Sequence, residues 1–352
     1  MYKILSINPG STSTKIAIYE DEQLLNLHTI RHSVEELSSF KKVFDQYEFR
    51  KNVIIKRLAD DEVDLNELSA VVGRGGLMRP LASGTYEVND TMISDLRNGG
   101  QHVSNLGALL AREIANSIPN CKSYIADPVT VDELSDVARI SGLPQFPRRS
   151  TFHALNHKAI GRKYAQSVGT SYEKLNLVIA HMGGGVSIAA HRYGKVVDTN
   201  QALDGFGPFS PERSGTIDAG ALVRACFEKQ YSKEALGQML VGKGGLMAHL
   251  GTNDVKEIAE RISSGDEYAA LVLNAMAYNI AKEIAAMLAV LEGKADAVIL
   301  TGGIANNQNV VNYIKKMVST MSHLVVYPGE NEMEALAFAG LRALRGEPTK
   351  IY

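Results

Sequence analysis

Short runs rich in apolar and β-branched residues near the start of the chain predict three strands at residues 3–8, 15–20 and 23–30, and the second of them alternates at Ile16 and Ile18. The turn at residues 8–15, NPGSTSTK, combines a glycine with hydroxyl side chains and a terminal lysine. Its backbone N–H groups, hydroxyls and lysine could hold a phosphate, although an ordinary polar hairpin turn fits the same residues. A Walker loop does not fit, because Lys15 opens a strand and no helix follows.

The same pattern returns in the second half of the chain. Strands are predicted at residues 176–181, 186–192 and 195–199, and the first turn carries three glycines in the sequence HMGGG at 181–185. Successive glycines leave the backbone N–H groups uncovered and let a ligand approach closely. The chain therefore contains a degenerate internal repeat of a strand, a phosphate-type turn and a strand.

The repeat and the length of 352 residues predict two domains. A stiff segment with two prolines and two arginines at residues 144–149 is the candidate boundary. We predict an N-terminal domain of residues 1–150 plus 335–352 and a C-terminal domain of residues 151–334.

Helical and strand patterns alternate through most of the remaining chain, which is typical of the α/β class. Residues 242–251 are predicted to form a turn. Helices are predicted at residues 33–59, 90–97, 103–117, 151–165, 218–227, 232–240, 254–262, 266–291, 308–320 and 333–344, and strands at 68–73, 122–126, 297–301 and 323–327.

Composition narrows the class of partner. The chain has 37 basic and 39 acidic residues, a net charge of −2, and no block of lysine or arginine. This balance argues against nucleic acid or an anionic membrane as the main partner and favours small molecules. The first residues enter a strand without the pattern of a secretory signal, so we predict a cytoplasmic protein. Cys121 and Cys226 suggest neither a disulfide framework nor a zinc site, and both are predicted to be core thiols.

No membrane span is predicted. The most apolar long stretch, residues 268–291, carries Lys282 and Glu283 near its middle. A charged pair at bilayer depth is costly, so this stretch is interpreted as a buried helix.

Two charged residues follow predicted strands. Arg74 comes after the apolar run at 68–73, beside Gly75 and Gly76, and Asp127 follows the strand at 122–126. Ligands in α/β structures collect at the carboxyl ends of strands, and arginine suits planar oxyanions. A surface ion pair for Arg74 and an ordinary turn for Asp127 are the structural alternatives.

His153 and His157 are spaced i, i+4, which places both imidazoles on one face of a predicted helix. Such a pair could bind zinc, but the sequence HALNH lacks the glutamate of zinc proteases and a third ligand is not evident. A catalytic or structural role is favoured. Arg213 lies in the long Gly- and Pro-containing segment at residues 201–218, and long loops of this composition commonly carry function.

Together these motifs resemble the acetokinase family of the acetate and sugar kinase/heat-shock chaperone/actin superfamily. The segments NPGSTSTK at 8–15, HMGGG at 181–185 and ERSGTID at 212–218 carry the resemblance. It implies duplicated ribonuclease H-like (actin-like ATPase) domains, each a mixed sheet flanked by helices, with the nucleotide in the interdomain cleft. It also implies reversible transfer of a phosphoryl group from ATP to a short-chain carboxylate.

Within that family, the segments RGGL at 74–77, FH at 152–153 and GPFSP at 207–211 are most similar to members that act on butyrate or branched-chain fatty acids. Gly76 stands where acetate-specific members carry valine, so a larger acyl pocket is expected. Acetate or propionate remains the alternative acid. An actin-like or chaperone-like ATPase remains an alternative of a different class, although two arginines and a histidine suit a second substrate better than water.

The resemblance also implies the roles of individual residues. Asn8 and Glu334 would hold Mg²⁺ with ATP or ADP, while Ser11, Ser13 and Lys15 would line the phosphate path. Arg74 and Arg213 would face the carboxylate and the transferring phosphoryl group, and Asp127 and His153 would complete that site. His181, Gly183, Gly184, Gly185, Gly302, Gly303 and Ile304 would receive phosphates and adenosine. Gly184 stands where acetate kinases carry asparagine. A homo-oligomer, a dimer or larger, is expected.

Overall fold

Each of the two predicted hairpins opens a mixed sheet in the computed structural model, which describes residues 1–99, 102–228 and 231–352. The chain divides into two units. Unit 1 consists of Met1–Val131, Ala154–Asn156 and Asn331–Tyr352, and unit 2 of Asp132–His153 and His157–Glu330.

The strands are β1 (Lys3–Pro9), β2 (Ser13–Glu20), β3 (Gln23–Arg31), β4 (Leu68–Arg74), β5 (Thr85–Glu87), β6 (Lys122–Ala126), β7 (Asn176–Met182), β8 (Val186–Arg192), β9 (Lys195–Thr199), β10 (Ala297–Gly302) and β11 (Leu324–Pro328). The sheet of unit 1 has the order β3-β2-β1-β4-β6-β5 and that of unit 2 the order β11-β10-β7-β8-β9. In both, an antiparallel meander of three strands continues into two parallel strands. The predicted α/β class with a duplicated, helix-flanked mixed sheet is therefore confirmed.

The helices are α1 (Val34–Ser38), α2 (Tyr47–Asp60), α3 (Asp90–Asn98), α4 (Leu106–Asn116), α5 (Asp136–Arg139), α6 (Ala154–Ser167), α7 (Ala219–Phe227), α8 (Lys233–Leu240), α9 (Gly245–Leu250), α10 (Val255–Ser263), α11 (Glu267–Val290), α12 (Gln308–Val318) and α13 (Glu332–Leu344). Side-chain caps explain where many of them begin. The side chains of Asn89, Asp218, Ser232, Asp266 and Asn307 each accept a hydrogen bond from a backbone N–H of the first turn.

The core of unit 1 brings α4 and α13 against the sheet. Gly73 and Gly107 let α4 approach β4 closely, because a Cβ on Gly107 would lie only 2.2 Å from the main-chain oxygen of Arg74. The α13 helix packs against β1 and β4, and the hydroxyl of Ser6 donates to the main-chain oxygen of Met333 at 3.0 Å. These contacts fix the ends of β1 and β4, where Asn8 and Arg74 lie.

The long helix α11 is the centre of the core of unit 2. Its length and composition would allow it to cross a membrane, but half of its most apolar window is buried inside the protein. The buried residues recur every three or four positions, and include Val272, Met276, Ile280 and Ile284. We therefore assign α11 as a core helix, as the sequence predicts.

Several predicted boundaries differ from the structure. Residues 132–150 belong to unit 2, not to the N-terminal domain, because Ser135 N–H donates to the main-chain oxygen of Val197 and Arg148 pairs with Asp198. The segment predicted as a turn at 242–251 contains α9, and β5 was absent from the sequence prediction. Cys226 is exposed, which contradicts its assignment as a core thiol.

Candidate active site

The turn between β1 and β2 is supported by Arg50 from α2. The Arg50 guanidinium is fully buried and donates to the main-chain oxygens of Ser11 at 3.2 Å and Ser13 at 3.0 Å, and to the Thr14 hydroxyl at 2.9 Å. Burial lowers the pKa of Arg50 to about 10. The guanidinium therefore remains charged at neutral pH, so a desolvated positive charge lies directly behind the turn predicted to bind phosphate.

The three residues predicted to line the phosphate path lie on the solvent side of this hairpin. Ser11 and Lys15 are exposed and Ser13 is half-buried. Ser13 and Lys15 share one face of β2, whereas Thr14 points to the other face and is buried. Their side chains are thus placed where a ligand could reach them, and their role in phosphate binding stays a prediction.

Asn8, Arg74 and Glu332 lie together where β1 and β4 end. Asn8 Nδ2 donates to Glu332 Oε2, and Arg74 Nη1 lies 3.3 Å from Asn8 Oδ1 and 3.4 Å from Glu332 Oε2. Asn156 Nδ2 lies 3.4 Å from the second carboxylate oxygen, Glu332 Oε1. This cluster presents an amide and a carboxylate beside an arginine.

The donor set of this cluster fits magnesium. Mg²⁺ prefers oxygen ligands, and it commonly takes one or two carboxylates from the protein and its other ligands from phosphates and water. Asn8 Oδ1 and the Glu332 carboxylate supply one amide oxygen and one carboxylate, both beside Arg74 Nη1. Among the residues that the structure describes, no group of three or more His, Cys, Asp or Glu could hold a metal by itself. A metal held partly by nucleotide phosphates is therefore the kind that these residues suit.

The glutamate that is hydrogen-bonded to Asn8 is Glu332 and not Glu334, and the metal role predicted for Glu334 stays a prediction. Residues two positions apart on a helix point in different directions, so only one of Glu332 and Glu334 can face Asn8. The carboxylate of Glu334 acts instead on Tyr19, whose pKa is raised to about 12 mainly by burial and additionally by this negative charge. Tyr19 pairs with Ile4, near the opposite end of β1 from Asn8.

Asp127 forms a structural contact with Gly84 in unit 1. It is 4% exposed, and Oδ1 accepts a hydrogen bond from the Gly84 N–H at 2.7 Å while the Asp127 N–H donates to the Gly84 oxygen at 3.1 Å. Its backbone has a φ of +37°, in the left-handed region that non-glycine residues seldom adopt. The catalytic role of Asp127 stays a prediction; its contacts tie the loop before β5 to the end of β6.

Gly76 is a glycine for a reason that the sequence does not reveal. A Cβ at this position would lie 2.3 Å from Asn105 Oδ1 and 2.6 Å from Asn105 Cα. Asn105 is fully buried and its Oδ1 accepts from the Leu77 N–H at 2.7 Å. The space of the missing side chain is thus filled by Asn105, so the glycine does not by itself enlarge an acyl pocket.

We expect Gly76→Val to destabilise unit 1 by about 1–3 kcal/mol or more through overpacking, with no specific gain in activity towards acetate. Urea unfolding and kcat/KM for acetate and butyrate measure the two effects. Gly142→Val is the matched control, because no atom lies within 4 Å of a Cβ built there. A Gly76→Val protein of normal stability that prefers acetate would restore the acyl-pocket interpretation.

In unit 2, Arg213 packs onto the glycine turn at residues 183–185. Its Nη1 donates to the main-chain oxygen of Ala202, and a Cβ on Gly185 would lie 2.1 Å from Nη1. Burial lowers the pKa of Arg213, while the charges of Glu212 and Asp204 act in the opposite direction. Glycine at position 185 is therefore a condition for this placement of the guanidinium.

The other two glycines of the turn have different surroundings. A Cβ on Gly183 would lie 2.8 Å from Glu330 Oε1 and 3.4 Å from His181 Nε2, whereas one on Gly184 would meet only Glu212, at 3.4 Å or more. A Cβ at position 184 would therefore make an ordinary contact with Glu212. The turn connects the neighbourhood of His181 on one side with Arg213 on the other.

The rings of His153 and His181 stack, with centroids 4.3 Å apart and an interplanar angle of 30°. His153 directly precedes α6 and its Nδ1 lies 2.8 Å from Ser187 Oγ, while His181 Nε2 lies 3.4 Å from Glu330 Oε1. His181 Nδ1 is buried and has no hydrogen-bond partner within the described ranges. A ligand could supply the missing hydrogen bond.

Gly302 ends β10 and Gly303 follows it, and their surroundings differ. Gly302 has a φ of +91°, and a Cβ there would lie 2.3 Å from the main-chain oxygen of Met182. Around Gly303 a Cβ would meet no atom within 4 Å, so its backbone is open. Ile304 is 5% exposed and packs in the core of unit 2, so any contact with adenosine would have to use its backbone.

Sequence reasoning missed Arg50, Glu332, Glu330 and the partners of His153. Glu332 carried a usable signal, since it directly precedes the predicted helix at 333–344 and stands two residues from the glutamate that was chosen; in the structure it lies in the first turn of α13. Arg50 carried none, because an arginine in an amphipathic helix is ordinarily interpreted as solvent-exposed.

Comparisons with known proteins identify the family and the fold of this chain. The family model described as the acetokinase family matches residues 145–340. A protein of Bacteroides thetaiotaomicron named probable butyrate kinase is 52% identical over 352 residues, covering 99% of both chains. Butyrate kinase 1 of Clostridium acetobutylicum is 51% identical over 349 residues, covering 99% of this chain and 98% of its own. The crystal structure of Porphyromonas gingivalis acetate kinase has the same fold, with a TM-score of 0.81 at 19% identity over 98% of this chain and 100% of that one.

Proposed function

The chain belongs to the acetokinase family, and on that premise we propose that it transfers the γ-phosphoryl group of ATP to butyrate, reversibly, giving butyryl phosphate and ADP. We choose butyrate as the acid because the chain is 52% and 51% identical, over 99% of its length, to two proteins named as butyrate kinases.

The reaction needs positioning more than acid–base chemistry. A carboxylate oxygen forms the new bond to the γ-phosphorus while the bond from that phosphorus to the β-phosphate bridging oxygen breaks, and ADP leaves with the electron pair. The carboxylate is already ionised at neutral pH, so no general base is required. The protein must bring two anions together and neutralise the charge that spreads over the transferring group.

The residues of unit 2 would act on the phosphates. Arg213, held by the glycine turn at 183–185, would stabilise the charge on the transferring phosphoryl group. His153 and His181 would donate hydrogen bonds to phosphate oxygens, and the open backbone at Gly303 would allow close approach of the nucleotide.

The residues of unit 1 would act on the acid and on the metal. Arg74 would bind the carboxylate of the acid, and Ser11, Ser13 and Lys15 would contact phosphate oxygens in front of the buried Arg50 charge. Asn8 and Glu332 would hold Mg²⁺. When bound, Mg²⁺ would neutralise phosphate charge and orient the γ-phosphoryl group.

The proposal is tested by incubating the protein with ATP, Mg²⁺ and acids of two to five carbons, straight or branched, and trapping acyl phosphate with hydroxylamine. We expect the highest kcat/KM with butyrate. A higher value with acetate, propionate or isobutyrate would reassign the acid within the family. ATP consumption that does not depend on added acid would contradict the kinase and favour an ATPase.

The oligomeric state and the compartment stay predictions. The apolar side chains of α7 include Val223 and Phe227, which are 55% and 83% exposed. A contact between copies of the chain through this face of α7 is part of the proposal.

A further inference from the structure

A row of hydrogen bonds in unit 2 leads from a buried phenol to His153. We call it the histidine row: Tyr172, His191, His157, Ser187 and His153. Tyr172 Oη contacts His191 Nδ1, His191 Nε2 lies 3.1 Å from His157 Nδ1, and His157 Nε2 lies 2.8 Å from Ser187 Oγ. The last contact joins Ser187 Oγ to His153 Nδ1 at 2.8 Å.

Local structure explains why these residues meet. His153 and His157 are one helical turn apart at the start of α6, while Ser187 and His191 lie four residues apart on one face of β8. The helix packs over the strand so that the two pairs interleave. Tyr172 follows α6 and contacts the far end of the row.

The interior of the row is inaccessible to water. His157, His191 and Ser187 are 0% exposed and Tyr172 is 2% exposed, whereas His153 is half-buried. Burial lowers the pKa of His157 and of His191 well below the ordinary value. The charge of His181 acts in the same direction on His157, that of His157 on His191, and that of Lys158 on both, while a hydrogen bond to Ser187 opposes the shift of His157. Both imidazoles are therefore neutral, and each carries one N–H proton.

Proton counting then restricts the row to two arrangements. When His153 is neutral as well, each of the five residues contributes one proton, and each of the four contacts requires one. In the first arrangement every proton points away from Tyr172, so Ser187 donates to His153 Nδ1 and the remaining proton is on His153 Nε2. In the second every proton points towards Tyr172, and His153 carries its proton on Nδ1. Any mixture leaves a buried contact with two protons or none, which is costly.

The chemistry at Tyr172 selects the first arrangement. A phenol with a pKa of about 10 is a better donor than an imidazole N–H, and an imidazole nitrogen is a better acceptor than a phenolic oxygen. The ammonium of Lys158 and the guanidinium of Arg162 lie 5.7 and 5.8 Å from the centre of the Tyr172 ring. Lys158 is itself paired with Glu133 Oε2 at 2.6 Å, which reduces its effect on the hydroxyl, so the selection depends on the donor strength of the phenol.

We propose that the histidine row sets the tautomer of His153, with the hydroxyl of Tyr172 as its origin and the proton of His153 on Nε2. Tyr172 is then a positioning residue that acts through His153 without contacting a substrate. The catalytic consequence rests on the proposed function, in which His153 donates to a phosphate oxygen. With Nδ1 engaged by Ser187, the donor for that bond is the Nε2–H, and the row supplies it before the ligand arrives.

The tautomer is measured directly by ¹⁵N NMR of the histidine side chains in the full-length protein, with the His153 signals assigned by their loss in His153→Gln. We expect Nδ1 of His153 to be unprotonated and Nε2 to carry the proton. In Tyr172→Phe, which keeps the ring and removes only the hydroxyl, we expect a mixture of both tautomers. Tyr164→Phe is the matched control, because Tyr164 belongs to the same apolar cluster but is outside the row.

Kinetics provide the second readout. We expect Tyr172→Phe to lower kcat about tenfold, the effect of one hydrogen bond, with the KM for ATP within twofold of the wild type. The loss should vanish when His153→Gln is already present, since the effect of Tyr172 passes through that ring. Tyr164→Phe should change neither value.

Three results would overturn the proposal: a wild-type His153 that is protonated on Nδ1, an unchanged His153 tautomer in Tyr172→Phe, or a kcat loss of equal size with and without His153. If Tyr172→Phe does not fold, Ser187→Ala interrupts the row at its other end and should produce the same mixture of tautomers. If the wild-type protein makes no acyl phosphate, the proposed function fails, but the NMR experiment still decides the proposal about the tautomer.

Discussion

An Arg213→Ala enzyme is expected to lose about 10³-fold or more in kcat for acyl phosphate formation, with only modest loss of nucleotide affinity. The guanidinium is half-buried and burial lowers its pKa, so its interaction with the charge of a transferring phosphoryl group is screened less by water than at an exposed site. That charge spreads over the equatorial oxygens mainly in the transition state, and removal of the arginine therefore affects kcat more than ground-state binding. Steady-state rates with butyrate, together with ATP affinity from calorimetry, separate the two effects.

Arg224→Ala is the matched control for that experiment, because Arg224 is an exposed arginine of the same unit. We expect it to keep wild-type kcat and affinity. Near-normal turnover by Arg213→Ala, in a protein that unfolds at the same urea concentration as the wild type, would contradict the assignment of Arg213 to the transferring group.

The architecture was predictable because short-range patterns determine it. Runs of apolar and β-branched residues identified β1, β2 and β3, and similar runs around HMGGG identified β7, β8 and β9, so the internal repeat was evident from the sequence alone. Capping residues such as Asp266 marked where helices begin. Apart from β5, the two sheets share the same order of strands, because the same connections between strands occur in both halves of the chain.

The parts of the site that escaped prediction depend on packing between distant segments. Two glutamates at positions 332 and 334 are equivalent in sequence, and only the rotation of α13 against β1 decides that Glu332 faces Asn8. The lack of a side chain at Gly76 suggested an empty pocket, whereas the space is filled by Asn105. Patterns within one segment carry no information on which other segment fills a space.

The histidines show the same limit. Their spacing on α6 placed His153 and His157 on one face, but it did not distinguish a metal site from a hydrogen-bonded row. Ser187 and His191 are also regularly spaced, on a strand. The two pairs form one hydrogen-bonded row only because the helix packs on the strand. A second polar pair at matching spacing in a predicted neighbouring element is the signal that could have been used.

The sharpest test of the site is a substitution that adds one methyl group and removes no functional group. Gly185→Ala would place a Cβ 2.1 Å from Nη1 and 2.4 Å from Cζ of Arg213. The obstructing atoms are the far end of a flexible side chain, so the protein can fold by moving the guanidinium. We therefore expect a loss of stability below about 2 kcal/mol and a loss of kcat of about 10²-fold or more, approaching that of Arg213→Ala. Urea unfolding and butyrate-dependent ATP turnover measure both.

Gly184→Ala separates this mechanism from a general sensitivity of the glycine turn. Its Cβ would approach Glu212 no closer than 3.4 Å, an ordinary contact, so we expect kcat within about threefold of the wild type. In a Gly185→Ala, Arg213→Ala double variant the two losses should not multiply, because both remove the same guanidinium from its place. Multiplicative losses, or equal damage from the alanines at 184 and 185, would mean that the turn acts through its backbone and not by holding Arg213.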